Sequence, residues 1–139
     1  MKFNINQNEL QQSLGYCQGV IEKRSTLPIL SNILLDATGS NLKIIATDLD
    51  LIFINEIQNI EILEKGKTTT VSSPLYDIIR KFNSGKKINF NQTSENKIQL
   101  ESEKSTFNLN CLSASEFPVT EENFTSKDFN IKSKELLKL

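Results

Sequence analysis

The sequence predicts an α+β fold in which one unit, strand–helix–three strands, is written twice within a domain. Both helices are expected on one face and antiparallel sheets on the other. Three observations carry this. An apolar stripe of helical period follows a short strand-like run at two places, in the same order. Gly-, Asn- and Asp-bearing turns separate the runs that follow each stripe. The last twelve residues also repeat the opening: Lys2–Ser13 reads KFNINQNELQQS and Asp128–Leu139 reads DFNIKSKELLKL. At a fixed offset of 126, Phe3/Phe129, Asn4/Asn130, Ile5/Ile131, Glu9/Glu135 and Leu10/Leu136 are identical. A strand and a helix start cannot bury an apolar face alone, so the second copy reads as the beginning of a further domain. Chance matching in a chain rich in Asn, Ile and Lys is the plainer alternative. The expected division is a first domain over 1–118, a polar linker over 119–127 and the truncated start of a second domain over 128–139.

Phe3 and Ile5 alternate with polar neighbours over Lys2–Ile5, a strand. Leu10, Leu14, Cys17, Val20 and Ile21 recur at helical spacing and predict a helix over Asn8–Ile21, with Asn8 as N-cap. Gly15 and Gly19 weaken that helix. Glu22–Pro28 is expected to be a loop, because Pro28 fits poorly inside a helix. Asn32–Thr38, Asn41–Thr47 and Leu51–Gln58 are three strands joined by Thr38-Gly39-Ser40-Asn41 and Thr47-Asp48-Leu49-Asp50, an antiparallel meander. The order then restarts. Gly66–Ser72 is rich in β-branched residues. Pro74–Phe82 is a helix burying Leu75, Ile78, Ile79 and Phe82, stopped by Asn83-Ser84-Gly85. Lys87–Asn91, Lys97–Glu101 and Thr106–Leu112 complete the second set of strands, and Phe117-Pro118 ends the last.

Apolar content of 37% and charged content of 24% suit one globular domain with its own core. No run approaches the ~20 apolar residues of a membrane span. The opening MKFNINQNEL lacks the apolar stretch of a secretory signal, so a cytoplasmic location is expected. Cys17 and Cys111 match no metal spacing and form no CxxC; small apolar core residues are the plain reading. A disulfide and free thiols both stay open, with a reducing cytoplasm favouring thiols. The absence of histidine removes the commonest general base and the commonest metal ligand together. The net charge of −1 conceals an uneven spread: residues 1–72 carry 6 Lys/Arg and 8 Asp/Glu, residues 73–139 carry 10 and 9. The one dense basic cluster is Arg80, Lys81, Lys86 and Lys87, either a stripe for phosphates or a solvated helix end favoured by the macrodipole.

Arg24-Ser25-Thr26-Leu27-Pro28-Ile29-Leu30 is a turn feeding a strand, with an exposed arginine at its base. In wording and position it resembles the first domain of the bacterial DNA polymerase III beta subunit, the replicative sliding clamp. Met1-Lys2-Phe3, Thr47-Asp48-Leu49 and Ala114-Ser115-Glu116-Phe117-Pro118 agree with that family in order and spacing, so the resemblance covers the whole chain. It implies the DNA-clamp fold, with three similar domains per subunit and a head-to-tail homodimer closing into a ring. Helices line the hole and sheets form the outer wall. It also implies a non-catalytic processivity factor, without cofactor or metal, that holds double-stranded DNA through its phosphates. Polymerase and clamp loader are the implied partners of a full-length member. The client-peptide cleft lies between the second and third domains and has no counterpart in this chain, which is not expected to close a ring alone.

A sliding ring must hold DNA without reading it, so contacts should go to phosphates and stay few. The resemblance assigns DNA contact to Arg24, whose plainer reading is an exposed loop residue pairing with Glu22. It assigns a place on the second hole-lining helix to Arg80, with Lys81, Lys86 and Lys87 nearby; Lys86 and Lys87 alternatively face outward on a strand. Ser25 stands where the family usually has proline. The first helix carries no Lys or Arg, and its expected exposed face is Gln7, Gln11, Gln12 and Gln18, which implies weak salt dependence. By the same resemblance Lys104, Phe107 and Leu109 belong to a subunit interface. Alternation alone does not separate that role from domain core.

Two rival readings remain. Asp48, Asp50 and Glu56 could serve carboxylate or metal chemistry, but two acids at a tight turn are usually turn-formers. No glycine-rich phosphate loop, nucleophile signature or zinc spacing accompanies them. The other rival is a protein-interaction module without DNA binding.

Overall fold

Strand β1 (Lys2–Asn6) buries Phe3 and Ile5 and leaves its alternate side chains partly exposed. The computed structural model describes residues 1–21, 26–118 and 130–139. Helix α1 (Gln7–Cys17) follows directly. Its cap is Asn6, not the expected Asn8: Asn6 has extended backbone and its side chain accepts from the Asn8 N–H at 2.9 Å. The helix stops at Cys17, four residues short of expectation, because the N–H groups of Val20 and Ile21 both turn back onto the Cys17 carbonyl. Ile21 is nevertheless buried.

Pro28 begins a 3-10 turn, Pro28–Ser31, rather than ending a loop; at a first helical position its missing N–H costs nothing. Strands β2 (Asn32–Asp36), β3 (Leu42–Thr47) and β4 (Ile52–Ile57) form the expected antiparallel meander, slightly shorter at their ends. A further strand, β5 (Ile60–Glu64), was not expected. Its sequence, IEILE, is half exposed and gains its identity only from pairing with β1, about sixty residues earlier in the chain. The set of three strands after the helix is thus extended to four in the first half, while the second half keeps three. Strand β6 (Lys67–Val71), helix α2 (Ser72–Lys81), and strands β7 (Lys87–Ser94), β8 (Lys97–Ser102) and β9 (Ser105–Leu112) follow in the expected order.

The linker proposed over 119–127 lies outside the described residues. Of the C-terminal repeat, Asn130–Lys132 form no strand, against expectation, because no neighbouring strand pairs with them. The helix start is there as α3 (Ser133–Leu136), exposed throughout.

The strand order is β4-β3-β2-β6-β9-β8-β7-β1-β5, antiparallel throughout. This order has an internal two-fold. β1 lies between β5 and β7, and β6 lies between β9 and β2. The two edge strands, β4 and β5, are consecutive in sequence and separated by Gln58 and Asn59 alone, so one interrupted strand serves both halves. Strand β9 does the same at the other seam, pairing with β8 over Ser105–Asn110 and with β6 through Cys111 and Leu112.

The core lies between this curved sheet and the helix pair. Leu10, Leu14 and Cys17 of α1 and Leu75 and Ile79 of α2 meet Phe3, Ile33, Leu35, Ile44, Ile88, Phe90 and Leu100 from the strands. Phe3 and Phe90, facing across β1 and β7, stack with centroids 4.4 Å apart. A smaller cluster lies apart from this core: Leu34 and Ile45 are covered by Phe117, Ile29 and Ala114. The segment Ala114–Phe117, with its 3-10 turn Ala114–Glu116, is therefore packed against the sheet rather than free. Both cysteines are free and buried, so no disulfide forms; burial pushes the Cys17 thiol up to about 12.

Candidate nucleic-acid interface

The two helices run antiparallel and are tied at both ends. Near the α1 C-terminus, Gln18 donates to the Ser72 hydroxyl at 2.9 Å and accepts from the Ser73 hydroxyl at 3.1 Å. Near its N-terminus, Gln7 donates to the Ile79 carbonyl at 2.9 Å. Gln7 is therefore a buried tie between helices, not part of the exposed face the sequence suggested. Its Oε1 has no hydrogen-bond partner among the described residues. Midway the helices approach over Gly15, where an added Cβ would lie 3.7 Å from the Tyr76 hydroxyl.

An open groove of about 660 Å³ runs along this helix pair, lined by Asn8, Gln11, Gln12, Tyr16, Tyr76 and Ser84. None of these carries a charge. Tyr16 is half exposed and tilts against Phe53. The Arg80 guanidinium sits over the Tyr76 ring, 5.4 Å from its centroid, a cation–π contact at the side of the groove. Arg80 also reaches Asp77 at 3.9 Å, an exposed pair of small energetic weight. Arg80 and Lys81 both occupy the last turn of α2, where the helix dipole favours cations.

Lys86 and Lys87 differ from them. Lys86 lies between α2 and β7 and pairs with Glu103 at 3.2 Å; Lys87 opens β7 and pairs with Glu61 at 2.9 Å. Asn83 and then Lys86 hold Glu103 below the usual carboxylate range, and Asn4 and then Lys87 do the same for Glu61. The four-residue basic cluster of the sequence is thus two cations on a helix end and two cations matched by carboxylates. Arg24 and Glu22 lie outside the described residues.

Lys104 is exposed next to Glu103, which adopts a left-handed backbone with φ of 52°. Phe107 and Leu109 are half-buried and pack against the core; the Phe107 ring meets Phe82 edge-on at 5.5 Å. Ser105–Leu109 pair with β8 on one side only, and no strand covers their other side among the described residues. Strand β9 is therefore core on its inner face and open along one edge.

The acids at Thr47–Leu51 build the turn. The Asp48 carboxylate accepts from the N–H groups of Asp50 and Leu51, at 3.0 and 2.7 Å, and Thr47 accepts from Leu49 at 3.0 Å. Leu49 takes the left-handed φ of 82° that this turn needs. Among the described residues no helix is long and apolar enough to cross a membrane.

A two-fold-repeated α+β domain with a helix pair facing one way and a continuous antiparallel sheet behind it is the architecture of a DNA clamp. The chain belongs to the DNA polymerase III beta subunit family, whose N-terminal domain matches residues 1–121. It is similar to the beta sliding clamp of Caulobacter vibrioides, strain NA1000 / CB15N, at 36% identity over 141 residues. That match takes in 100% of this chain and 37% of the relative's length. The solved Caulobacter crescentus pol III beta superposes with a TM-score of 0.91 at 37% identity, over 100% of this chain and 37% of that one. The beta subunit from DNA polymerase of Streptococcus pyogenes superposes with a TM-score of 0.89 over 98% of this chain and 37% of that one. At 23% identity that likeness speaks for the fold alone. The chain spans about a third of the length of these relatives.

Proposed function

We propose that this chain supplies the first domain of a DNA sliding clamp, a non-catalytic processivity factor of a replicative polymerase acting in the cytoplasm. The observation that carries this reading is the antiparallel helix pair, which offers a cation-bearing last turn and a neutral polar groove on one face. Such a face holds phosphates without reading bases, as sliding demands. Membership in the beta subunit family supports it.

On this reading Arg80 and Lys81 are the helix-borne cations for DNA, joined by Arg24. Lys86 and Lys87, matched by Glu103 and Glu61, contribute little. The open edge of β9, with Lys104, Phe107 and Leu109, is the surface that receives another subunit's domain. Residues 119–127 act as the linker and 128–139 begin the second domain. Ring closure then requires two further domains per subunit, and polymerase and clamp-loader contacts belong to the complete ring.

The test is assembly. The chain is mixed with a separately made second-plus-third-domain piece of a matching clamp and followed by size exclusion with light scattering. A complex is expected with the native β9 edge. If none forms while the chain is folded, the subunit role is overturned.

A further inference from the structure

We infer that the open edge of β9 pairs with itself: two copies of this chain join there across a two-fold axis, strand antiparallel to strand, into one sheet. The backbone sets the register. The Cys111 N–H bonds to the Asn96 carbonyl, just ahead of β8, at 2.9 Å. Hydrogen-bonded residues alternate along an antiparallel ladder, so Leu109, Phe107 and Ser105 turn their backbone groups to β8. Asn110, Asn108 and Thr106 turn theirs the other way. The Asn110 carbonyl accepts from the Thr70 hydroxyl of β6 at 3.0 Å, on the side away from β8, as this alternation requires. Thr106 and Asn108 each keep an N–H and a carbonyl along the open edge, and no strand meets them among the described residues. A two-fold through Phe107 places Thr106 opposite Asn108 of the second copy, the N–H of each donating to the carbonyl of the other. Phe107 then faces its own copy in the closer, non-hydrogen-bonded kind of pair.

What each open edge presents selects a second copy of β9 as the occupant. From Ser105 to Leu112 the strand has no charged residue, no proline and no bulge in its register with β8, so the usual protections of an edge are missing. Its outward side chains Thr106 and Asn108 are exposed and neutral. They continue a polar row already laid across the sheet, in which Asn91 faces Gln99 and Gln99 faces Asn108. A second β9 extends that row like on like, Thr106 against Asn108. The other edges do not match. β5 carries Glu61 and Glu64, and β4 holds Ile52 and Ile54 outward at 36% and 49% exposure. Pairing β4 with β9 would set those isoleucines against Thr106 and Asn108. On the helix side the fit is aromatic: Phe107 is half-buried and edge-on to Phe82, and the second Phe107 covers the part left exposed. Lys104, the charge nearest the edge, falls opposite Asn110 of the second copy and meets no like charge there. A two-fold contact closes at two copies, whereas β9 joined to β4 of the next copy would continue from chain to chain. The inference needs only the open edge and not the clamp reading; on that reading the second copy competes with the other subunit's domain for β9.

The test is the mass of the whole chain in solution, by light scattering and sedimentation velocity, from about 10 μM to about 1 mM, the range suited to so short a contact. The mass is expected to rise from that of one chain to that of two and to stop there. Asn108→Lys sets like charges diagonally across the axis and acts on both copies, so it should weaken the dimer about a hundredfold. Asn108→Glu should do the same, with circular dichroism checking that both variants are folded. Mixing the two variants should restore a dimer, because each lysine then neighbours a glutamate of the other copy. Ile54→Lys on β4 should leave the dimer unchanged. A single-chain mass at every concentration would overturn the inference, as would a dimer that folded Asn108→Lys leaves intact or a mixture that restores nothing. Growth beyond two copies, lost with Ile54→Lys, would also overturn it, in favour of head-to-tail joining of β9 to β4. The subunit role is decided separately by mixing with the second-plus-third-domain piece, which asks whether another domain takes β9 and not whether a second β9 does.

Discussion

Gly15 sits in the middle of α1, where glycine costs a helix about 1 kcal/mol relative to alanine. The space beside it admits a methyl group at ordinary contact distance from Tyr76. Gly15→Ala is therefore expected to stabilise the domain by about 0.5–1 kcal/mol in urea denaturation; a loss would mean the helices approach more tightly than described. Gly85 is the opposite case, with φ of 74° in the turn that orients Asn8. Gly85→Ala should destabilise by about 1 kcal/mol, measured the same way. Asp36 gives a pH signature. Burial raises its carboxyl, but the Thr38 hydroxyl and then Lys67 at 2.9 Å outweigh that and hold it below its ordinary 3.8. A group lowered in the folded state adds stability above its unfolded value and loses it as pH falls through the folded one. Stability should thus fall below about pH 4. Asp36→Asn should flatten that part of the curve in acid titrations followed by circular dichroism.

Elements were legible in the sequence wherever one local rule decided them. The helical stripe Leu10–Leu14–Cys17, the alternation Leu42–Ile44–Ala46 and the stop at Asn83-Ser84-Gly85 all name their elements from within a few residues. Strand β5 was not legible, because IEILE alternates weakly and becomes a strand only beside β1. The site divided in the same way. The cations Arg80 and Lys81 were visible as a helix end, but their separation from Lys86 and Lys87 depends on Glu103 and Glu61, which are distant in sequence. The groove was half visible as a run of Gln and Asn on α1. Tyr76 and Ser84 join it only through tertiary packing. At this scale the open edge of β9 carries its own prediction. Asn108 is exposed there, and Asn108→Lys should leave the melting temperature within about a degree or two while weakening capture of a partner domain about tenfold. A drop in stability instead would place Asn108 inside the fold's own packing.

For the whole molecule, the internal two-fold leaves two seams of the same kind. Each seam, β4–β5 on one side and β9 on the other, is a strand shared between halves and left open along part of its length. A domain with two such edges is suited to a continuous wall of sheets, with its helix pair turned to the other face. On the clamp reading proposed above, retention comes from enclosure, so affinity for DNA need not be high and its salt dependence can be shallow. The most direct measurement is retention on DNA. The chain is combined with a second-plus-third-domain piece of a matching clamp, loaded on nicked circular DNA, and chased at rising salt before and after the circle is cut. The assembly is expected to stay on circles and to slide off the linear form. Equal loss from circular and linear DNA by a formed assembly would contradict it, because binding would then rest on affinity and not on enclosure.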